Sequence, residues 1–243
     1  MNRLLFTVFF ITLLYGMMPG NAYCKNEHNG RVTIIIDPVF NGSPLQLSDK
    51  YYINEHGDTL YIDLFRFYIT NLKLSSGNMF VPDTNGHLVD AEDKETLTFH
   101  IDNVPAGKYT SLHFVVGVDS IANTSGANGG DLDPSKGMYW AWNSGYIMAK
   151  LEGHSNVCKT FHHGFEFHIG GYMSPYNAAR TVQIQLRNSI DIGTGSNPVI
   201  HIKANAAAWF KGNLNLSEFN SVVIPGKEAN IIADKYARMF STE

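Results

Sequence analysis

LYIDLFRFYITNLKL, residues 60–74, decides the fold class of this chain. The stretch is rich in β-branched and aromatic residues, and its apolar positions broadly alternate with polar ones. Gly57-Asp58 precede it and Ser75-Ser76-Gly77 follow, so turn residues bound it on both sides. It predicts one long strand with a face on a core. Shorter runs of the same kind surround it. Val32 to Ile36 ends at Asp37-Pro38, and Thr96 to Ile101 joins Tyr109 to Val118 across Asn103-Val104-Pro105-Ala106-Gly107. Gly145 to Leu151, Thr160 to Ile169, Thr181 to Arg187 and Val199 to Lys203 follow. So many short strands with Gly, Asn and Pro punctuation predict a mainly all-β chain, an antiparallel β-sandwich or barrel-like fold. Two helices are predicted beside the strands. Asp133-Pro134-Ser135 sets an N-cap before Pro at the first helical position, for a short helix running through Trp142 and stopping near Gly145. Near the end, Ala229, Ile232, Tyr236 and Met239 or Phe240 recur at helical steps after Pro225-Gly226. That stripe predicts a C-terminal helix packed on the sheet.

Composition bounds the rest. Charged residues are 16% of the chain, against roughly 25% in an average soluble protein, and the net charge is -4. Without a Lys/Arg excess there is no footprint for nucleic acid. At 44% hydrophobic residues the chain can support a folded core. Residues 1–22 read as a signal peptide: Arg3, an apolar run from Leu4 to Leu14 too short to span a bilayer, and small Gly20 and Ala22 before Tyr23. Residues 23–243 then form a single domain with no further membrane-crossing segment, expected in the periplasm or at the cell surface. Lipid anchoring through Cys24 is disfavoured, because Tyr23 stands where a lipoprotein signal has a small residue. Cys158 is the other of the two Cys, and an oxidising compartment would permit a Cys24–Cys158 disulfide. Two unpaired thiols are the alternative.

No HExxH, CxxC, G-x-S-x-G or phosphate-binding Gly loop is present, and no enzyme is expected. The histidines are more informative. Of the ten, His154, His162, His163 and His168 fall within fifteen residues. On a strand, His162, Gly164, Glu166 and His168 would share one face, with Phe161, His163, Phe165, Phe167 and Ile169 on the other. An imidazole and carboxylate row of this kind suits copper, zinc, nickel or iron, completed by His113 or His201 from other strands. The bland reading is a solvated face. GMYWAWNSGY, residues 137–146, holds two of the three Trp. It reads as a core plug with Trp142 on Met138, or as a sugar-stacking or redox-active aromatic site. The loop from Asn123 to Asp133 is rich in oxygen ligands but lacks the spacing of a calcium hand, so calcium is not expected.

Four stretches together resemble the MbnP-like domain of the methanobactin-associated copper-protein family. They are YYINEHGDTLYIDLFRFYITNLKL (51–74), VPAGKYTSLHFVVGVDSIAN (104–123), GDLDPSKGMYWAWNSGYIMAKLEG (130–153) and FEFHIGG (165–171). IADKYARMF (232–240) is similar to the family's closing helix. The resemblance implies an exported β-rich protein that binds copper through His together with a Trp oxidised to kynurenine. It also implies a partner di-haem protein, related to cytochrome c peroxidases, that performs the oxidation. Trp140 and Trp142 lie in the Trp motif, and His168 lies in F-x-F-H-I-G-G. His162 and His113 come from strand geometry instead, with Glu166 as the group that fixes a ring tautomer. Many relatives carry four Cys, where this chain has two. The expectation is an exported copper-binding protein for metal acquisition or storage, not itself an enzyme. The alternative is a periplasmic or cell-surface carbohydrate- or peptide-binding module with no metal, stacking on Trp140 or Trp142.

Overall fold

A computed structural model describes residues 29–242, apart from Asn78, Thr84, Ser144, Thr194 and Asn213. The signal-peptide reading and both readings of Cys24 lie outside the described residues. In chain order the strands begin with β1 (Gly30–Phe40), β2 (Ser43–Pro44), β3 (Tyr51–Ile53), β4 (Thr59–Ser76) and β5 (Met79–Pro82). They continue with β6 (His87–Asp90), β7 (Thr98–Val104), β8 (Gly107–Val116), β9 (Tyr139–Trp140) and β10 (Gly145–Ser155). The last are β11 (Gly164–Gly170), β12 (Arg180–Ile192), β13 (Val199–Asn205), β14 (Ser221–Val222) and β15 (Phe240–Thr242). Two α-helices accompany them, α1 (Ser120–Thr124) and α2 (Lys227–Tyr236).

The 18-residue β4 is the spine. Its alternation is broken twice, and each break is a bulge. Pairing with β10 shifts between Leu64 and Ile62, and pairing with β8 shifts around Asn71, which has a φ of 52°. Each extra residue resets the phase, so Leu60 and Ile62, then Phe65, Phe67 and Ile69, then Leu72 and Leu74 are all buried. Five strands pair with β4: β3, β5, β6, β8 and β10. The larger sheet runs β12-β8-β4-β10-β11-β14, and the smaller β15-β13-β1-β2, with β7 also on β1. Aromatic contacts knit the core between them. Phe240 of β15 lies edge-on to Phe67 and Phe114 of the larger sheet, with ring centroids 5.6 and 5.0 Å away.

The all-β sandwich is as expected, and the strand paths do not close into a barrel. Pairing is not purely antiparallel. β1 runs parallel to β13 from Thr33 to Val39, and β11 parallel to β14. β1 also continues through Asp37-Pro38, where Pro38 gives its carbonyl to the Leu45 N–H. The C-terminal helix is present with Ala229, Ile232 and Tyr236 buried, and Met239 buries just beyond it. The predicted Trp-containing helix is absent. Asp133 does cap Ser135, but the turn it starts is a 3-10 piece of three residues, Pro134–Lys136. Gly137 closes that turn with a φ of 74°, a left-handed conformation in which a side chain would be strained.

Gly153 marks the tightest crossing of β4 and β10. A Cβ there would collide with the Tyr61 carbonyl oxygen and the Phe165 ring. Gly153→Ala should therefore destabilise the fold by about 3 kcal/mol, measured by urea unfolding. A change under about 0.5 kcal/mol would show that the crossing relaxes freely.

Candidate functional site

The GFEFHIG strand β11 has a period of two that sorts its side chains. Phe165, Phe167 and Ile169 turn into the core, while Glu166 and His168 face outward. Gly170 ends the strand and leaves room for a neighbour. A Cβ at that position would collide with the six-membered ring of Trp140. Trp140 reaches this place on β9, which pairs with the start of β10: Trp140 opposite Gly145, Tyr139 opposite Tyr146. The segment read as a helix is thus a hairpin, with Trp142 in its turn. Trp142 is 64% exposed and does not form a core plug, whereas Trp140 is 6% exposed. The two indoles lie 5.4 Å apart, tilted by 43°.

Trp140, Trp142, His168 and Glu166 line one shallow groove of about 610 Å³, with Val223 and Ile224 on its far side. The groove brings together residues from β9, its turn, β11 and the stretch after β14. Behind it lies a polar row contributed by β10. His168 Nε2 and Glu152 Oε1 are 2.8 Å apart. A carboxylate only accepts, so Nε2–H is the donor, and in the neutral ring Nδ1 then carries the lone pair. The hydrogen bond from His168 holds the Glu152 carboxyl below its ordinary range, against the opposing effect of burial. Lys150 and Arg66 add to the lowering. Burial pushes the Lys150 ammonium down, and its Nζ donates to the Gly137 carbonyl at 2.9 Å. That bond ties the entry of the Trp hairpin to the sheet.

Glu152, not Glu166, is therefore the group that fixes the His168 tautomer. Glu166 instead accepts from Ser221 Oγ at 3.0 Å. The two glutamates face each other across β10 and β11. The signal for Glu152 was in the sequence, since Lys150, Glu152 and His154 share one face of β10 by alternation. The hairpin was legible too, in Asn143-Ser144-Gly145 between aromatic residues.

His162 is not in the row. It sits in a 3-10 turn, Phe161–His163, with a φ of 54°, and the strand begins only at Gly164. Thr160 Oγ1 donates to the Gly164 carbonyl and closes this turn. His162 packs on the exposed Phe161 ring at 3.8 Å. His113 is also elsewhere. It lies opposite Lys73 on β4, whereas His168 reaches β4 through Lys150 at Arg66. The three strand steps between them amount to about 14 Å, with a further offset along β4. His163 Nδ1 meets the Cys158 carbonyl, His154 meets Asp63, and His201 meets Asp37. Among the described residues, no three His, Cys, Asp or Glu side chains converge on one point. Cys158 is buried with its Sγ 3.5 Å from the Leu216 carbonyl, and burial pushes its thiol up to about 11.

The donors in the groove are the Nδ1 of His168 and the Glu166 carboxylate. An intact indole has no in-plane lone pair to offer. The groove therefore presents one imidazole and one carboxylate as metal-ligand types, with Glu152 holding the imidazole ring.

A family model described as MbnP matches residues 29–225. Among solved structures, the fold is similar to MbnP from Methylosinus trichosporium, with a TM-score of 0.55 and 16% identity. The match covers 77% of this chain and 79% of that one. No curated protein matches the chain.

A carboxyl held low contributes stability above its unfolded value, about 4.3 for Glu, and loses it as pH falls through the lowered folded value. His168→Ala removes the largest lowering interaction on Glu152. In that variant the Glu152 carboxyl should titrate nearer the ordinary range, read by carbon-13 NMR of the side-chain carboxyls. Identical titration in both proteins would show that the pair does not form in solution.

Proposed function

The chain belongs to the MbnP family, and from that premise we propose that it is an exported copper-binding protein whose metal sits in the Trp140–Trp142–His168 groove. The observation that supports this reading is the convergence of His168 with both indoles from separate segments. Neutral imidazole is the copper-binding form, so His168 would coordinate through Nδ1 while Glu152 retains Nε2–H. This reading rests on His168 and does not call on His162 or His113, which lie elsewhere in the fold. Trp142, exposed at the hairpin turn, is the indole that an external oxidant reaches. Its oxidation to kynurenine by a di-haem partner related to cytochrome c peroxidases would create an aryl amine and a ketone beside His168. Acquisition or storage of copper, not catalysis, is the role this arrangement suits. Among the described residues no helix is long and apolar enough to cross a membrane, which is compatible with an exported chain.

Calorimetry with Cu(I) and Cu(II) tests the assignment. Binding should be tighter than millimolar, weaken by about tenfold or more in His168→Ala, and stay unchanged in His113→Ala. Affinity should fall as pH drops and imidazole protonates. Binding no tighter than millimolar, or undiminished in His168→Ala, overturns the site. Mass spectrometry of protein from its native host should show an oxidised Trp in the 137–150 peptide. The exposure of Trp142 also favours a stacking platform for sugar or peptide. Glycan binding lost in Trp142→Ala, with copper indifferent, would establish that reading instead.

A further inference from the structure

On the smaller sheet, away from the Trp groove, the pairing along one edge of β1 is interrupted. β7 leaves β1 at Ile35, opposite Thr98, and β2 joins only at Val39, opposite Pro44. Between those points no strand among the described residues covers this edge, and a cleft of about 600 Å³ opens over it. A volume of this order is that of a small-molecule pocket. Its walls differ in chemistry. Ile35, Pro38, Leu45 and Leu97 make an apolar side. Lys94, His201 and Lys203 bring cationic or hydrogen-bonding groups to the same cleft, against one carboxylate, Asp37. That carboxylate is engaged, with His201 Nδ1 and Asp37 Oδ2 2.8 Å apart. The His201 ring is thereby oriented, with Nε2 at its opposite edge. Lys94 makes no ion pair among the described residues. A second, smaller cleft adjoins across His201 and carries Arg187. The chain as a whole has a net charge of -4, so this basic lining runs against the overall charge.

We propose that this cleft is a binding site for a small organic anion with an apolar body, its acid group met by Lys94 and its body by Ile35, Leu45 and Leu97. The site is independent of copper and of the Trp groove. A buried apolar body gives affinity, and the basic rim selects the sign of the charge.

Calorimetry on the folded protein with decanoate and with decyltrimethylammonium, both kept monomeric, tests it. Decanoate should bind at one site, and the cationic analogue of the same chain length should bind at least tenfold more weakly. Lys94→Glu, on the surface, should weaken decanoate by about tenfold. His168→Ala and Trp142→Ala should leave it unchanged. Equal binding of both amphiphiles, no binding of decanoate, or insensitivity to Lys94→Glu overturns the proposal. Competition by an acidic peptide but not by free decanoate would also overturn it, by assigning the face to a protein partner.

Discussion

The burial of one long strand constrains everything else in this protein. β4 must keep Leu60, Ile62, Phe65, Phe67, Ile69, Leu72 and Leu74 inside over 18 residues while a flat strand would twist out of phase. The two bulges reconcile length with phase. The first leaves Asp63 facing outward, where its carboxylate meets His154 Nδ1 at 2.8 Å. It also sets the register of β10, whose crossing at Gly153 is too tight for any side chain. β10 in turn places Lys150 and Glu152 against His168 of β11. The site thus lies two strands away from β4 and still depends on its apolar spacing.

Among the described residues, four histidines sit against carboxylates at 2.7–2.8 Å: His87 with Asp83, His154 with Asp63, His168 with Glu152 and His201 with Asp37. Exposed pairs of this kind contribute little to stability. The His87–Asp83 pair is different, since it is largely buried and His87 stacks on Phe99 with centroids 4.0 Å apart. Hydrogen bonds from His87 and Asn85 hold the Asp83 carboxyl low even though burial opposes them. That pair anchors the turn between β5 and β6 on the outer run of β4. The same chemical unit therefore serves structure at Asp83 and orientation at His168.

Residue faces were legible in the sequence wherever alternation was clean. On β11 the outward Glu166 and His168 and the inward Phe165, Phe167 and Ile169 stand as spacing predicts. The Trp segment carries a true local helix signal, the Asp133 cap with Pro134, but that signal reaches only as far as Lys136. Gly137 ends that turn, and hydrogen bonds from β10 then favour a hairpin: the Ile147 N–H binds the Met138 carbonyl at 2.9 Å. The alternation of β11 does not reach back to His162, because the strand begins only at Gly164. Nothing in its spacing marks the positive φ at His162 and His163.

By itself the sequence determined the β class, the C-terminal helix and, where alternation is unbroken as in β11, which side chains face outward. Those properties follow from a local period of two or 3.6, which each segment carries alone. Only the tertiary structure decided that β1 runs parallel to β13, that Glu152 and not Glu166 orients His168, and that both indoles reach the same groove. Each depends on pairing between segments distant in the chain, and a strand's alternation says which face it buries but not which neighbour it meets or in which direction. The close approach of Trp140 to Gly170 is the sharpest case: the missing side chain is written in the sequence, and the ring that fills its place is chosen by the fold.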